Sequence, residues 1–83
     1  MTYFEKLKSI ASKNGISQKE LSKYYDMPYN SFNNKFRSCE TRFNLKDLIK
    51  FAEINNLKVA LINDNDEIIE TLTTNLYIDE NKL

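Results

Sequence analysis

The chain of 83 residues contains no histidine, and it has only one cysteine, one glycine and one proline. A Cys–His pair and an internal disulfide are therefore excluded, and no metal site is evident. A glycine-rich phosphate loop is excluded as well, because Gly15 stands alone. These absences predict a protein that is not an enzyme and that holds no metal and no cofactor.

Long apolar runs are also missing from the chain. The first residues, MTYFEKLK, lack the apolar segment of a signal peptide, and no later run approaches the length that crosses a bilayer. The lone Cys39 suits a reducing compartment, and we expect it to be a half-buried small apolar residue. Together these features predict a cytoplasmic protein with no membrane partner.

Charge is balanced over the whole chain but is distributed unevenly. Residues 1–58 hold eleven Lys and Arg against six Asp and Glu, a net charge of +5. Residues 59–83 hold one Lys against six Asp and Glu, a net charge of −5. A basic segment followed by an acidic one is the distribution expected if only the first segment binds a polyanion. The alternative is that residues 59–83 are a solvated tail, which would explain the acidic segment but not the basic one.

Capping signals mark the start of the first helix. Thr2 and Glu5 have the T-x-x-E spacing of a capping box, and apolar residues then recur at helical spacing. This pattern predicts a helix over about 3–14. Gly15 follows it and is expected to close the helix in the left-handed conformation.

The next two helices are separated by a turn. Ser17 and Glu20 repeat the capping signal and predict a second helix that ends near Asp26. Pro28 lacks an N–H group but suits a first turn, so it predicts a third helix over about 28–37. The residues expected to face inward are Leu21, either Tyr24 or Tyr25, Phe32 and Phe36.

Residues 38–43 are predicted to form a loop, and residues 45–56 a fourth helix. The pair of Asn44 and Asp47 is expected to cap this helix. Its predicted core residues are Leu45, Leu48, Ile49 and Ala52.

The periodicity changes after residue 56. Residues 57–62 and 67–73 are rich in β-formers, and the turn-forming Asn and Asp residues at 63–66 separate them, which predicts an antiparallel hairpin. The last ten residues are expected to fray, although residues 76–78 could add to a strand. Because two strands alone are barely stable, the hairpin should pack on the helices, pair with a second copy across a two-fold axis, or do both.

Residues 15–53 resemble the phage-repressor (Cro-like, or XRE-type) helix-turn-helix family. The matching positions are Gln18, the pair Leu21 and Ser22, the turn at Asp26, Met27 and Pro28, the buried Phe32, and the following NLKDLIKFAEI segment. Ser22 stands where the family usually has alanine, and Asp26 stands where glycine is usual, although aspartate tolerates the left-handed conformation. The resemblance implies a mainly α fold, with a four-helix repressor-like helix-turn-helix domain at 1–56. The C-terminal β-hairpin and acidic tail at 57–83 lie outside the core family pattern, and we expect them to serve dimerisation.

The resemblance also implies a DNA site on the third helix. The residues it assigns to DNA bases are Tyr29, Asn30, Asn33 and Asn34. The residues assigned to DNA phosphates are Gln18, Lys35, Arg37, Arg42 and Lys46. Asparagine suits the first role because its amide both donates to and accepts from adenine.

Each assignment has an ordinary alternative. The asparagine run could mark a polar surface helix, Tyr29 could pack on Phe32 in the core, and any single Lys or Arg could be solvated charge.

The expected function is that of a small transcriptional regulator, a repressor, that binds specific double-stranded DNA as a homodimer. One such domain buries too little surface against DNA for tight binding. Two copies on half-sites about one helical turn apart bury enough surface. The alternative is a protein-interaction module, an inhibitor or an antitoxin-like protein, that uses the same fold and binds a protein partner through its acidic hairpin and tail.

Overall fold

The structure is a computed structural model that describes residues 1–73. Its elements are α1 (Tyr3–Lys13), α2 (Gln18–Tyr24), α3 (Tyr29–Arg37), α4 (Cys39–Arg42), α5 (Leu45–Ile54), β1 (Val59–Ile62) and β2 (Ile68–Leu72). The described chain is thus mainly helical and ends in a two-stranded antiparallel hairpin, as predicted. The frayed end and the strand expected at residues 76–78 lie outside the described residues.

Residues 1–44 form one compact unit, and the described residues 45–73 belong to a second. The first unit contains α1 to α4, and the second contains α5 and the hairpin. The domain boundary expected between residues 56 and 57 stays a prediction.

The predicted helix starts are present. The Thr2 hydroxyl oxygen accepts from the backbone N–H of Glu5 at 3.1 Å. At α2 the capping box is complete, because Ser17 Oγ accepts from the Glu20 N–H at 3.1 Å and the Glu20 carboxylate accepts from the Ser17 N–H at 3.4 Å. Gly15 has the predicted left-handed conformation, with φ +72°.

The turn between α2 and α3 has the geometry expected of it. Asp26 adopts a φ of +53°, which confirms the left-handed conformation predicted for this position. The Met27 N–H donates to the Ser22 carbonyl at 3.1 Å, and Pro28 directly precedes α3. Its carbonyl accepts from the Phe32 N–H at 2.9 Å, so the turn leads straight into the helix.

An aromatic cluster forms the core of the first unit. Phe32 and Phe36 are fully buried, as predicted. The Phe36 ring lies 5.2 Å from that of Phe4 and 5.8 Å from that of Phe43, between ring centroids. Tyr25 completes the cluster at 5.0 Å from Phe32.

Of the two tyrosines left open at the end of α2, Tyr25 is therefore the inward one. Tyr24 is 53% exposed. The helical period could not separate the two tyrosines, because Tyr24 is the last residue of the helix and Tyr25 is the C-cap that follows it.

The prediction of a loop at 38–43 was wrong, and with it the count of four helices. The one-turn helix α4 occupies four of these residues, so residues 1–73 contain five helices. The Ser38 carbonyl accepts from the N–H groups of Thr41 and Arg42, at 3.0 and 2.9 Å, which closes the turn. A helix this short shows no apolar period in the sequence.

Cys39 in α4 is more deeply buried than expected, at 6% exposure. Burial raises the pKa of the Cys39 thiol, and the neighbouring Glu40 carboxylate raises it further. Because the thiolate is the reactive form, we expect the native protein to react with a disulfide reagent more slowly than the urea-unfolded chain does at pH 8. The reaction rate of the native protein should continue to rise above the pH at which the rate of the unfolded chain levels off. Equal rates at pH 8 in both states would contradict this account.

In the second unit, α5 buries Ile49, Phe51 and Ala52. Leu45, which was predicted to be a core residue, is 50% exposed, because it is the first residue of the helix. The helix ends at Ile54, two residues earlier than predicted, and Asn56 then adopts a left-handed φ of +59°.

The hairpin pairs Val59 with Leu72, Ala60 with Thr71, Leu61 with Glu70 and Ile62 with Ile68. In its turn, Asn63 Oδ1 accepts from the N–H groups of Asn65 and Glu67 at 2.9 and 3.0 Å, and the Asn63 N–H donates to the Glu67 carbonyl at 3.0 Å. The register is irregular between Leu61 and Ile62. There β1 advances by one residue while β2 advances by two, so Ile69 is the extra residue of a β-bulge.

Candidate nucleic-acid interface

The buried pair Phe32 and Phe36 determines which side of α3 faces outward. Successive residues of an α-helix are rotated by about 100°, so the position opposite this pair is that of Asn34. The exposed residues on or beside this outward face are Asn30, Ser31, Asn34 and Arg37. Two of the four predicted base-contacting residues, Asn30 and Asn34, therefore lie together on it.

Tyr29 and Asn33 occupy different positions from these two. Tyr29 is the first residue of α3 and is 46% exposed, so it lies at the surface rather than in the core. Asn33 lies at the margin of the outward face and is half-buried. Its Oδ1 atom is buried without a hydrogen-bond partner among the described residues. A base contact by Asn33 would therefore require its side chain to rotate.

A depression of about 450 Å³ lies beside the outward face. The residues that line it are Met27, Ser31, Asn34, Lys35 and Arg42. Two cations thus flank a hydroxyl and an amide, and this set of groups can attract and donate hydrogen bonds to a phosphate. Arg42 comes from α4, so the short helix that the sequence did not predict supplies one side of the depression.

Ser31 was not singled out from the sequence, and Met27 was named only as part of the turn and not as a site residue. The sequence could have indicated Ser31 as a site residue, because it lies three residues before Asn34 and residues three apart share a helix face. Met27 lies in the turn, where no periodic signal exists.

The remaining predicted phosphate residues do not line this depression. Gln18 is half-buried at the start of α2 and lines a separate depression of about 320 Å³. Arg37 is exposed at the last position of α3. Lys46 is exposed in the first turn of α5, in the second unit.

The charge of the first unit favours an anionic partner. Residues 1–44 hold eight Lys and Arg against four Asp and Glu, a net charge of +4. Within α3 there is no acidic residue, while Lys35 and Arg37 lie in its last turn. In contrast, residues 59–73 of the hairpin hold four carboxylates and no Lys or Arg.

Within residues 1–73, no three His, Cys, Asp or Glu side chains are grouped so that they could hold a metal ion. None of the helices in this part of the chain is both long and apolar enough to cross a bilayer. Comparison of the chain with protein-family models, with curated proteins and with solved structures finds no match.

Proposed function

We propose that the chain is a sequence-specific double-stranded DNA-binding regulator, a repressor of the Cro-like or XRE type. In this proposal α2, the turn and α3 form the helix-turn-helix, and α3 enters the major groove. The observation that carries the proposal is the exposure of Asn30 and Asn34 on the face of α3 opposite Phe32 and Phe36.

The spacing of the two asparagines suits base reading. A rise of 1.5 Å per residue places Asn30 and Asn34 about 6 Å apart along the helix axis. Bases of one strand are about 3.4 Å apart, so the two amides reach bases about two steps apart. Each amide can bond N6 and N7 of an adenine at once, which contributes roughly 1–3 kcal/mol of discrimination.

In this proposal basic residues supply the phosphate contacts that position the helix. Lys35 and Arg42 line the depression next to Asn34, so a phosphate held there would lie beside the base-reading amide. Arg37 and Lys46 are further candidates for phosphate contacts, and Gln18 can donate to a phosphate without contributing charge.

A single domain of this size buries too little surface for tight specific binding, so the proposal includes a homodimer on two half-sites. The half-sites would be centred about 34 Å apart, one turn of DNA. Such a dimer would repress by occupying a promoter, without catalysis.

Salt dependence tests the proposal. A gel-shift assay would use DNA from upstream of the chain's own gene and DNA selected from a random pool, between 50 and 200 mM salt. Four candidate cations per subunit predict a slope of log K against log salt of roughly −7 for a dimer. Absence of any binding at the lowest salt would overturn the proposal and favour a protein-interaction module, for which the acidic hairpin would be the binding surface.

A further inference from the structure

A second depression in the first unit is lined by none of the residues on the outward face of α3. We call it the α1–α2 depression, because α1, α2 and the residues that link them supply most of its lining. Its volume is about 320 Å³. Sites for small molecules usually have volumes of about 300–1,000 Å³, so this depression has room for a small ligand.

The floor of the α1–α2 depression is apolar. Ala11, Leu21 and Phe36 line it, and all three side chains are buried. They come from α1, α2 and α3, so the floor is part of the packed core of the first unit. The half-buried Ile16 adds an apolar wall. An apolar ligand group on this floor would remove its own surface and that of the protein from water.

Polar groups surround the mouth of the depression. Lys8, Ser12 and Ser17 are exposed there, and Gln18 is half-buried. The Ser17 hydroxyl already caps α2, because it accepts from the Glu20 N–H at 3.1 Å. Lys8, Ser12 and Gln18 therefore supply the hydrogen-bond donors for a ligand. Of the residues that line the depression, Lys8 alone is charged, so the ligand should be an anion.

The ammonium group of Lys8 is well placed to bind this anion. Lys8 and Ser12 are four residues apart on α1, and such residues are neighbours on a helix surface. The Nζ atom of Lys8 lies 5.7 Å from the centroid of the Phe4 ring. An exposed contact between a cation and a ring is weaker than a hydrogen bond from an ammonium group to a carboxylate, so Lys8 can turn to an anion in the depression.

The α1–α2 depression differs in chemistry from the depression beside Asn34. Two cations, Lys35 and Arg42, line the latter, and that set of groups suits a phosphate. A single cation above an apolar floor suits an anion of one charge with an apolar body. We propose that the α1–α2 depression binds a small monocarboxylate that carries an aromatic or branched aliphatic group. Lys8 and Ser12 donate to the carboxylate, and the apolar group lies on the floor.

The bound ligand regulates DNA binding, and this part of the inference rests on the proposed function. Gln18 lines the depression and is also the candidate for a phosphate contact. A carboxylate bound beside Gln18 repels that phosphate and competes for the amide. Saturating ligand should therefore raise the operator dissociation constant about fivefold or more, and the operator should weaken ligand binding by the same factor.

The test of the site uses the full ¹⁵N-labelled chain without DNA, and phenylacetate as the probe. A ligand of about ten non-hydrogen atoms is expected to bind with a dissociation constant on the order of 1 mM. Saturable shift changes are expected at the amides of Ser12, Gln18 and Gly15, the only glycine of the chain. Acetate lacks the ring and phenylacetamide lacks the charge, so each should bind at least about fivefold more weakly than phenylacetate.

Two variants test the residues at the mouth. Lys8→Gln should raise the phenylacetate dissociation constant about fivefold or more, and Ser12→Leu should abolish saturable binding because it fills the mouth. Lys6→Gln and Ser9→Leu are the matched controls, since they make the same changes at exposed residues of α1 that do not line the depression. Lys6 also lies over a ring, that of Tyr3, at 5.5 Å. Both controls should leave the constant within about twofold of the wild type.

The outcomes separate this inference from the DNA-binding proposal. Absence of saturable binding, equal affinity for phenylacetamide and phenylacetate, or an unchanged constant in Lys8→Gln would each overturn the site. Unchanged operator affinity at saturating phenylacetate would overturn its regulatory role. A protein that binds phenylacetate as described but binds no DNA would sustain the site and reject the DNA-binding proposal.

Discussion

Replacement of both Asn30 and Asn34 by alanine is expected to abolish the preference of the protein for its operator. Each lost amide removes roughly 1–3 kcal/mol of base discrimination, so the two together remove about 2–6 kcal/mol per subunit. Operator affinity should therefore fall at least about 30-fold. Weak, salt-sensitive binding to any DNA should remain, because Lys35, Arg37 and Arg42 are unchanged.

The measurement is a competition gel-shift in which unlabelled operator and scrambled DNA compete for each variant. The fold should survive, because both asparagines are exposed and alanine is a better helix former. Asn65→Ala is the matched control: it makes the same chemical change at an exposed residue of the hairpin turn and should leave operator preference intact. A double variant that still prefers the operator would exclude base reading by these two residues.

Phe36→Ala is expected to lower the free energy of unfolding by about 3–5 kcal/mol, the usual cost of emptying a buried aromatic site. Phe36 is fully buried, and the rings of Phe4, Phe32 and Phe43 all lie within 6 Å of it. A small domain is stable by only about 5–15 kcal/mol, so this variant should be marginal. DNA binding should fall with it, because the same packing orients the outward face of α3.

Urea unfolding followed by circular dichroism measures this effect. Tyr24→Ala is the control, because Tyr24 is an aromatic residue of the same unit but is 53% exposed. Its replacement should change stability by less than about 0.5 kcal/mol. A Phe36→Ala protein within 1 kcal/mol of the wild type would mean that the aromatic cluster does not hold the first unit together.

The features that could be predicted from the sequence depend on residues close together in the chain. A Ser17–Glu20 capping box involves residues three apart, and the left-handed turns at Gly15 and Asp26 are preferences of single residues. The outward position of Asn30 and Asn34 likewise follows from the i, i+4 pair of Phe32 and Phe36. Local rules of this kind extend to the candidate site because most of it lies on one helix.

The features that could not be predicted depend on tertiary structure. No periodic signal marks α4, and so the position of Arg42 beside Asn34 could not be expected. The half-burial of Asn33 reflects what packs beside the margin of α3 and not the helix itself. The bulge at Ile69 is a mismatch between two strands, which neither strand's sequence shows alone.

The most direct test of the central claim is an amide NMR titration of the ¹⁵N-labelled protein with its selected operator. We expect the largest shift changes at the side-chain amides of Asn30 and Asn34 and along the backbone of Tyr29–Arg37. The hairpin signals of Val59–Ile62 and Ile68–Leu72 should change little. Changes confined to the hairpin, with α3 unaffected at saturation, would contradict the account.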